Sequence, residues 1–157
     1  MSILIYNSLT KKKEELAPLD GKTIKMYSCG VTVYDKCHIG HARSLYIFDV
    51  MRRYLKYRGY AVRFIRNITD VDDKIIHKAK ELNKSFDDVV QENIDAYHRD
   101  LKNLGVDKAD VEPRATQYIP PMIAFIEKLI GKGYAYETDG DVYYSVRKFK
   151  DYGKLSG

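Results

Sequence analysis

Apolar and polar positions follow two different spacings along this chain, and the switches between them predict its secondary structure. Residues 23–29 form a mostly apolar run that ends at Gly30, which is typical of a buried strand. Residues 61–68 alternate apolar and polar side chains and predict a second strand. A short strand is expected near the N-terminus, and the lysine run 11–13 is expected to lie in an exposed loop after it.

Residues 40–58 show the three- and four-residue spacing of an amphipathic helix, and Gly59 is a natural stop. We expect one apolar stripe of this helix to face the core, formed by Leu45, Phe48, Met51 and Leu55. The basic side chains of the same segment are expected to lie outside that stripe: Arg52, Arg53 and Lys56.

Further along the chain, the helical spacing predicts three more helices, over residues 70–82, 85–104 and 119–132. Residues 111–116 fit the end of a strand followed by a loop. Asp139-Gly140 lies between two aromatic-rich runs within residues 134–146, and this pattern predicts a β-hairpin.

The order of these elements predicts the fold class. Strands that alternate with helices favour an α/β fold with a parallel sheet and helices on its faces. Ligands of such sheets bind at the carboxyl ends of the strands. Residues 30–41 and 69–73 both follow a predicted strand directly, so we expect both to contribute to a binding site.

Composition narrows the class of protein. An apolar content of 45% and a charged content of 31% are ordinary for a globular domain, and they argue against disorder. The net charge of +5 is compatible with a polyanionic partner but too small to demonstrate one. We find no signal peptide and no apolar run near the ~20 residues that span a bilayer, so we expect a cytoplasmic protein.

His38 and His41 straddle the predicted start of the helix that follows the first strand. A helix N-terminus presents free backbone N–H groups, and two imidazoles there could donate further hydrogen bonds to a phosphate. Two other interpretations remain open: that one histidine caps the helix while the other is merely exposed, and that the pair binds a metal.

Cys29 and the acidic run 69–73 are the other candidates. Cys29 could be a buried free thiol that packs as a small apolar group, or a zinc ligand in need of partners. The two cysteines, at positions 29 and 37, have neither zinc-ribbon nor redox-pair spacing. The acidic run could cap a helix, or it could contact an amino group, a ribose or magnesium.

Four motifs occur in order: residues 29–35 (Cys-Gly-Val-Thr-Val-Tyr-Asp), 38–41 (His-Ile-Gly-His), 66–74 (Arg-Asn-Ile-Thr-Asp-Val-Asp-Asp-Lys) and 112–116 (Glu-Pro-Arg-Ala-Thr). Together they resemble the cysteinyl-tRNA synthetase family, and the resemblance extends over essentially the whole chain. It implies the first half of a Rossmann-like class I synthetase nucleotide-binding fold over residues 1–117. Residues 118–157, with the hairpin, would begin the connective insertion of that fold.

The resemblance also implies roles for individual residues. His38 and His41 would be catalytic, stabilising the ATP phosphate while cysteinyl-adenylate forms. Cys29 would ligate a zinc ion, which selects the substrate thiolate over a serine hydroxyl. The implied cysteine pocket comprises Cys29, Gly30, Thr32 and Thr69. The implied ATP-binding segment comprises Val31, Thr32, Val33, Tyr34, Asp35, Lys36, Cys37, His38, Ile39, Gly40 and His41, with Tyr34, Asp35 and Cys37 as its scaffold.

The implied activity is that of a cysteine–tRNA ligase with zinc and Mg²⁺ as cofactors. Its implied partners are ATP, L-cysteine and the cysteine tRNA, and the full-length protein is expected to be a monomer. Family members are longer and carry three further zinc ligands, a Lys-Met-Ser-Lys-Ser loop and an anticodon-binding region. We therefore expect this chain to be a fragment that is inactive alone and binds zinc weakly. Two alternatives are a ligase acting on a small amino-sugar acceptor and a truncated, non-catalytic nucleotide-binding module.

Overall fold

The computed structural model of the protein describes residues 2–156, which divide into two compact units. The larger unit is Pro18–Tyr118, and the smaller unit combines the residues up to Ala17 with those from Ile119 onward. The strands are β1 (Leu4–Asn7), β2 (Lys12–Glu15), β3 (Thr23–Ser28), β4 (Ala61–Arg66), β5 (Ala135–Thr138) and β6 (Asp141–Tyr144). The helices are α1 (Ile39–Tyr57), α2 (Asp73–Leu82), α3 (Phe86–Asn103) and α4 (Ile119–Gly131).

The larger unit is built on a β-α-β arrangement, as its alternating pattern predicts. Strands β3 and β4 pair in parallel, from Thr23 opposite Ala61 to Ser28 opposite Arg66, and α1 connects them. Isolated parallel bridges join Ile65 to Val111 and Ile68 to Arg114. Residues 111–114 therefore run alongside β4, opposite β3, and the predicted α/β fold with a parallel sheet is confirmed.

The core of this unit lies where the strand ends meet α1, α2 and α3. Its most buried apolar side chains come from all of these elements: Val33, Leu45, Ile68, Ile75, Val89, Ile94, Tyr97 and Leu101. Val33 and Ile68 belong to the segments that follow β3 and β4. Because both side chains are packed in the core, the backbone positions of their neighbours Thr32 and Thr69 are fixed as well.

The predicted face of α1 is partly wrong. Leu45 and Leu55 are buried as expected, but Met51 is exposed and Arg52 is buried. The guanidinium of Arg52 donates to the Lys108 carbonyl oxygen at 2.6 Å and pairs with the Asp110 carboxylate. Arg52 thus lies inside the unit because the polar loop after α3 supplies acceptors that helical spacing does not reveal.

The predicted start of α2 at residue 70 is also wrong. Asp72 has extended backbone and its carboxylate accepts from the Lys74 N–H at 2.9 Å, so the helix begins at Asp73. Asp70 lies outside the helix because its buried carboxylate is held by Thr116, at 2.6 Å from the Thr116 hydroxyl. The capping interpretation of the acidic run therefore holds for Asp72.

The smaller unit contains two antiparallel hairpins. Strands β5 and β6 pair around Asp139 and Gly140, whose φ angles of 53° and 85° suit the predicted tight turn. Residues 11–13 are exposed as expected, but the expected loop is wrong for Lys12 and Lys13, because β2 pairs with β1 through a turn with Lys11 at φ 58°. Apolar side chains of α4 are exposed, among them Met122, Ile123 and Phe125.

Candidate active site

The start of α1 is held by its own two histidines. His38 is the N-cap residue, and its Nδ1 accepts from the Gly40 N–H at 3.0 Å. The His38 N–H in turn donates to Nδ1 of His41 at 3.3 Å. The two rings lie 4.0 Å apart between centroids. The capping interpretation is therefore correct for His38, and it leaves a functional role for both rings open.

These contacts fix which ring nitrogens carry protons. A backbone N–H can only donate, so Nδ1 of His38 and Nδ1 of His41 must each present a lone pair. A neutral imidazole has one N–H, which is then on Nε2 in both rings. The start of α1 consequently presents two Nε2–H donors in addition to the free N–H groups of a helix N-terminus.

Two electrostatic features characterise this helix start: a lowered histidine pKa and a first turn without acidic side chains. Burial and, to a lesser degree, the neighbouring His38 lower the pKa of His41 below its ordinary value. His41 is therefore neutral at neutral pH and keeps the tautomer that its contact with His38 requires. The first turn of α1 has no acidic side chain that would repel a phosphate.

Gly40 is required by the geometry of the cap. A Cβ at this position would lie 2.8 Å from Cε1 of His38, which is closer than real Cβ contacts. The obstacle is the end of a side chain, so a larger residue would displace the His38 ring and not the backbone.

The second part of the site lies just beyond the ends of β3 and β4. Cys29 is exposed, which contradicts the interpretation of this residue as a buried packing thiol. Ser28 before it is buried, and the alternation of side chains along an extended chain turns Cys29 outward. Gly30 lies against the backbone of Asn67, where a Cβ would come within 1.5 Å of the Asn67 carbonyl oxygen.

Asn67 links these segments, and the sequence patterns assign it no role. Its Oδ1 accepts from the Gly30 N–H at 2.8 Å and from the Tyr27 hydroxyl at 3.0 Å. Its Nδ2 donates to Oγ1 of Thr69 at 3.1 Å. The signal that could have identified Asn67 is its position directly after the second predicted strand.

Two predicted pocket residues, Thr32 and Thr69, lie side by side through a parallel bridge. The bridge consists of the Thr69 N–H donating to the Val31 carbonyl at 3.0 Å and the Val33 N–H donating to the Thr69 carbonyl at 3.2 Å. Val31 and Val33 are buried in the core, so a ligand here would face the threonines and not the valines. The structure brings Gly30, Thr32 and Thr69 together.

The remaining residues of the predicted ATP segment connect this region to α1. Tyr34 packs partly against the core, with Nζ of Lys74 5.3 Å from its ring centroid. Asp35, Lys36 and Ile39 are exposed. Cys37 is half-buried beside a cavity of about 280 Å³ that His38 also lines. Burial, assisted by the charge of Asp100, raises the pKa of the Cys37 thiol, which disfavours its thiolate form.

A buried polar cluster beneath the strand ends was not predicted. The Arg66 side chain is 1% exposed, and its Nε donates to the Ser28 hydroxyl at 3.1 Å. Within residues 2–156, its Nη atoms and the Tyr97 hydroxyl have no hydrogen-bond partner. Burial raises the pKa of Tyr97, and the nearby Arg66 guanidinium opposes that rise. Alternating polarity placed Arg66 on the outer face of its strand, so its inward position could not be predicted.

The described part of the chain does not by itself build a metal centre. Nowhere in residues 2–156 do three His, Cys, Asp or Glu side chains come close enough to hold a metal ion. A structural or catalytic zinc ion takes about four ligands, of which Cys29 could supply one. No helix in the same residues has the length and apolar character needed to cross a membrane.

Comparisons with known proteins agree with this arrangement. A family model described as the class I (C) tRNA synthetase catalytic domain matches residues 15–157. A curated protein of Persephonella marina named Cysteine--tRNA ligase is 58% identical over 156 residues, which are 99% of this chain and 32% of that protein. The protein of the same name from Aquifex aeolicus is 54% identical, again over 99% of this chain and 32% of its own length.

The chain therefore spans about a third of the length of the curated relatives it matches. Among solved structures, a Mycobacterium tuberculosis methionyl-tRNA synthetase in complex with methionyl-adenylate superposes with a TM-score of 0.67. That match covers 73% of this chain and 23% of the other, at 19% sequence identity. At this identity the likeness establishes the fold alone.

Proposed function

The chain belongs to the family of class I (C) tRNA synthetase catalytic domains, and from this premise we propose that it is the first part of a cysteine–tRNA ligase. The observation that carries the proposal is the close similarity, over nearly the whole chain, to curated proteins of that name. The whole protein would use ATP to join L-cysteine to the cysteine tRNA. The relatives do not favour the amino-sugar ligase or the non-catalytic module.

In the proposed first step, a carboxylate oxygen of cysteine attacks the α-phosphorus of ATP and pyrophosphate leaves, which gives cysteinyl-adenylate. His38 and His41 would donate their Nε2–H groups to phosphate oxygens on which negative charge accumulates. A hydroxyl of the terminal tRNA ribose then attacks the carbonyl carbon, and AMP leaves. Catalysis here depends on position and electrostatics, without a covalent enzyme intermediate.

The cysteine pocket is proposed to lie at Cys29, Gly30, Thr32 and Thr69, beside the ATP segment. Cys29 is exposed and could supply one thiolate to zinc. The described residues 2–156 contain no cluster of three such ligands, so the other zinc ligands would have to come from elsewhere in the whole protein. Zinc, Mg²⁺, the cytoplasmic location, the monomeric state and the insertion beginning at residue 118 remain predictions.

A chimera tests the proposal. This chain replaces the equivalent 156 residues of the Persephonella marina relative, and cysteine-dependent ATP–pyrophosphate exchange is measured. We expect an active chimera, no exchange by the chain alone, and a loss of about 100-fold or more for His38→Ala or His41→Ala. A folded chimera that fails to activate cysteine, or that prefers another amino acid, would contradict the proposal.

A further inference from the structure

We propose that Asn67 is a positioning residue that joins the two walls of the amino-acid pocket and leaves the Thr69 hydroxyl free to donate a hydrogen bond to the bound amino acid. The inference rests on the proposed function, because it takes Gly30 and Thr69 as walls of the cysteine pocket. It extends that function by naming the group that orients one of its contacts.

The orientation of the Asn67 side-chain amide follows from its neighbour. The Gly30 N–H, 2.8 Å away, can only donate, and an amide nitrogen cannot accept. The atom facing Gly30 must therefore be Oδ1. The Tyr27 hydroxyl, at 3.0 Å from the same oxygen, fits this assignment as a second donor.

The amide nitrogen of Asn67 consequently faces Thr69. Nδ2 lies 3.1 Å from Oγ1 of Thr69 and has only hydrogens to offer, so it occupies one of the two lone pairs of the hydroxyl. The O–H of Thr69 must point elsewhere. Within residues 2–156, no protein acceptor receives it. A hydroxyl that accepts one hydrogen bond is polarised to donate another more strongly.

Asn67 also fixes the distance between the two walls. Gly30 and Asn67 are 37 residues apart in the chain, yet their backbones touch so closely that Gly30 has no room for a Cβ. Thr69 is further held by its bridge to Thr32. The hydroxyl of Thr69 is thus presented from a rigid position, which is what a specific contact to an acceptor atom of the substrate requires.

Two nearly isosteric variants separate orientation from simple packing. In Asn67→Asp, one carboxylate oxygen still accepts from the Gly30 N–H. The other oxygen replaces Nδ2 and accepts a hydrogen bond from the Thr69 hydroxyl. Thr69→Val removes the hydroxyl with little change of shape. Gln117→Glu, an amide-to-acid change at an exposed position, is the matched control.

Nuclear magnetic resonance on this chain tests the polarity directly. A threonine hydroxyl proton gives a persistent signal only when it is held in a hydrogen bond. We expect no such signal for Thr69 in the unsubstituted chain and a slowly exchanging one in Asn67→Asp, with the Gly30 N–H protected in both. A protected Thr69 hydroxyl proton in the unsubstituted chain would overturn the proposal.

Kinetics of the chimera test the consequence. Asn67→Asp and Thr69→Val should each raise KM for cysteine about tenfold. The double variant should have a cysteine KM no higher than that of the more impaired single variant, because both changes remove the same contact. KM for ATP should stay within about twofold, and Gln117→Glu should match the unsubstituted chimera. An unchanged cysteine KM in Asn67→Asp, or effects that multiply in the double variant, would overturn the inference.

The two proposals fail in different ways. An unsubstituted chimera without cysteine-dependent exchange counts against the proposed function. The resonance measurement on this chain still decides the direction of the bond between Asn67 and Thr69 in that case.

Discussion

The site has two regions that are held in opposite ways. At the start of α1, the contacts join residues that are two and three positions apart: Gly40 to His38 and His38 to His41. At the strand ends, Asn67 bonds to Gly30 and to Tyr27 across 37 and 40 positions. The first region is a local helix cap, and the second exists only when β3 and β4 are paired.

This difference changes what a substitution would do. A perturbed cap can readjust by turning one imidazole, because an added Cβ at Gly40 would meet the end of a side chain and not backbone. A perturbed strand end has backbone on both sides and cannot readjust without separating the sheet. Under the proposed function, activity would be lost in both cases, whereas stability would be lost mainly in the second.

The largest expected effect is that of Gly30→Ala. Its Cβ would lie 1.5 Å from the Asn67 carbonyl oxygen, so the two segments must move apart. We expect a loss of about 3 kcal/mol or more in the free energy of unfolding, measured by urea denaturation.

Gly131→Ala is the matched control for this change. No atom lies within 4 Å of its added Cβ, and in α4 alanine is a better helix former than glycine. A Gly30→Ala chain as stable as the Gly131→Ala chain would show that the strand ends are not tightly coupled.

The next effect is expected for Asp70→Ala, which removes the acceptor of the Thr116 N–H and hydroxyl, at 2.9 and 2.6 Å. Leaving this part-buried backbone donor unpaired should cost about 2 kcal/mol of unfolding free energy. Thermal or urea denaturation measures this, with Asp70→Asn, which keeps one acceptor, as a milder companion. Equal losses in both variants would mean that the missing acceptor is not the cause.

A smaller effect on stability is expected for Gly40→Ala. Displacing the His38 ring removes an N-cap bond of about 1 kcal/mol, but alanine in a helix recovers roughly 0.5–1 kcal/mol. The unfolding free energy should therefore change by less than about 1 kcal/mol, whereas ATP affinity of the chimera should fall. A destabilisation as large as that of Gly30→Ala would remove the contrast between the two regions.

The smallest effect is a pH dependence at the cap. Because the pKa of His41 lies below its ordinary value of 6.5 in the folded chain, the unfolded chain binds that proton first as pH falls. The contribution of His41 to stability is therefore complete above pH 6.5 and declines as pH falls from 6.5 toward the lowered pKa. The melting temperature of His41→Asn should fall less steeply over this range.

His77→Asn, at an exposed histidine on α2, is the control for that experiment. Its melting temperature should follow that of the unsubstituted chain at every pH. An identical pH profile for His41→Asn and the unsubstituted chain would show that the cap does not respond to protonation.

Much of the fold could be predicted because its signals are short-range. The turn at Asp139-Gly140 and the strands and α1 of the β-α-β arrangement follow from local composition and spacing, and the structure has them. The errors arose where distant groups decide. Arg52 is buried by acceptors near residue 108, and α2 starts late because Asp70 is held by Thr116.

The candidate site shows the same difference between features set by neighbouring residues and features set by distant ones. The pattern at residues 38–41 already contained a capping histidine, a glycine and a second histidine at the right spacing. Its role in ATP binding remains a prediction. Asn67 and Arg66 stood within a quoted motif, but no local rule shows which partners 37 or 38 residues away they contact.

By itself, the sequence determined that this chain forms an α/β fold, that a helix with histidines at its start follows its first core strand, and which family it resembles. Only the tertiary structure decided that Asn67 faces Gly30, that Cys29 is exposed, and that Arg66 is buried beneath them. The physical reason is that helix caps and turns are formed by neighbours in the chain. Contacts between parallel strands depend on register, which packing of the whole unit sets.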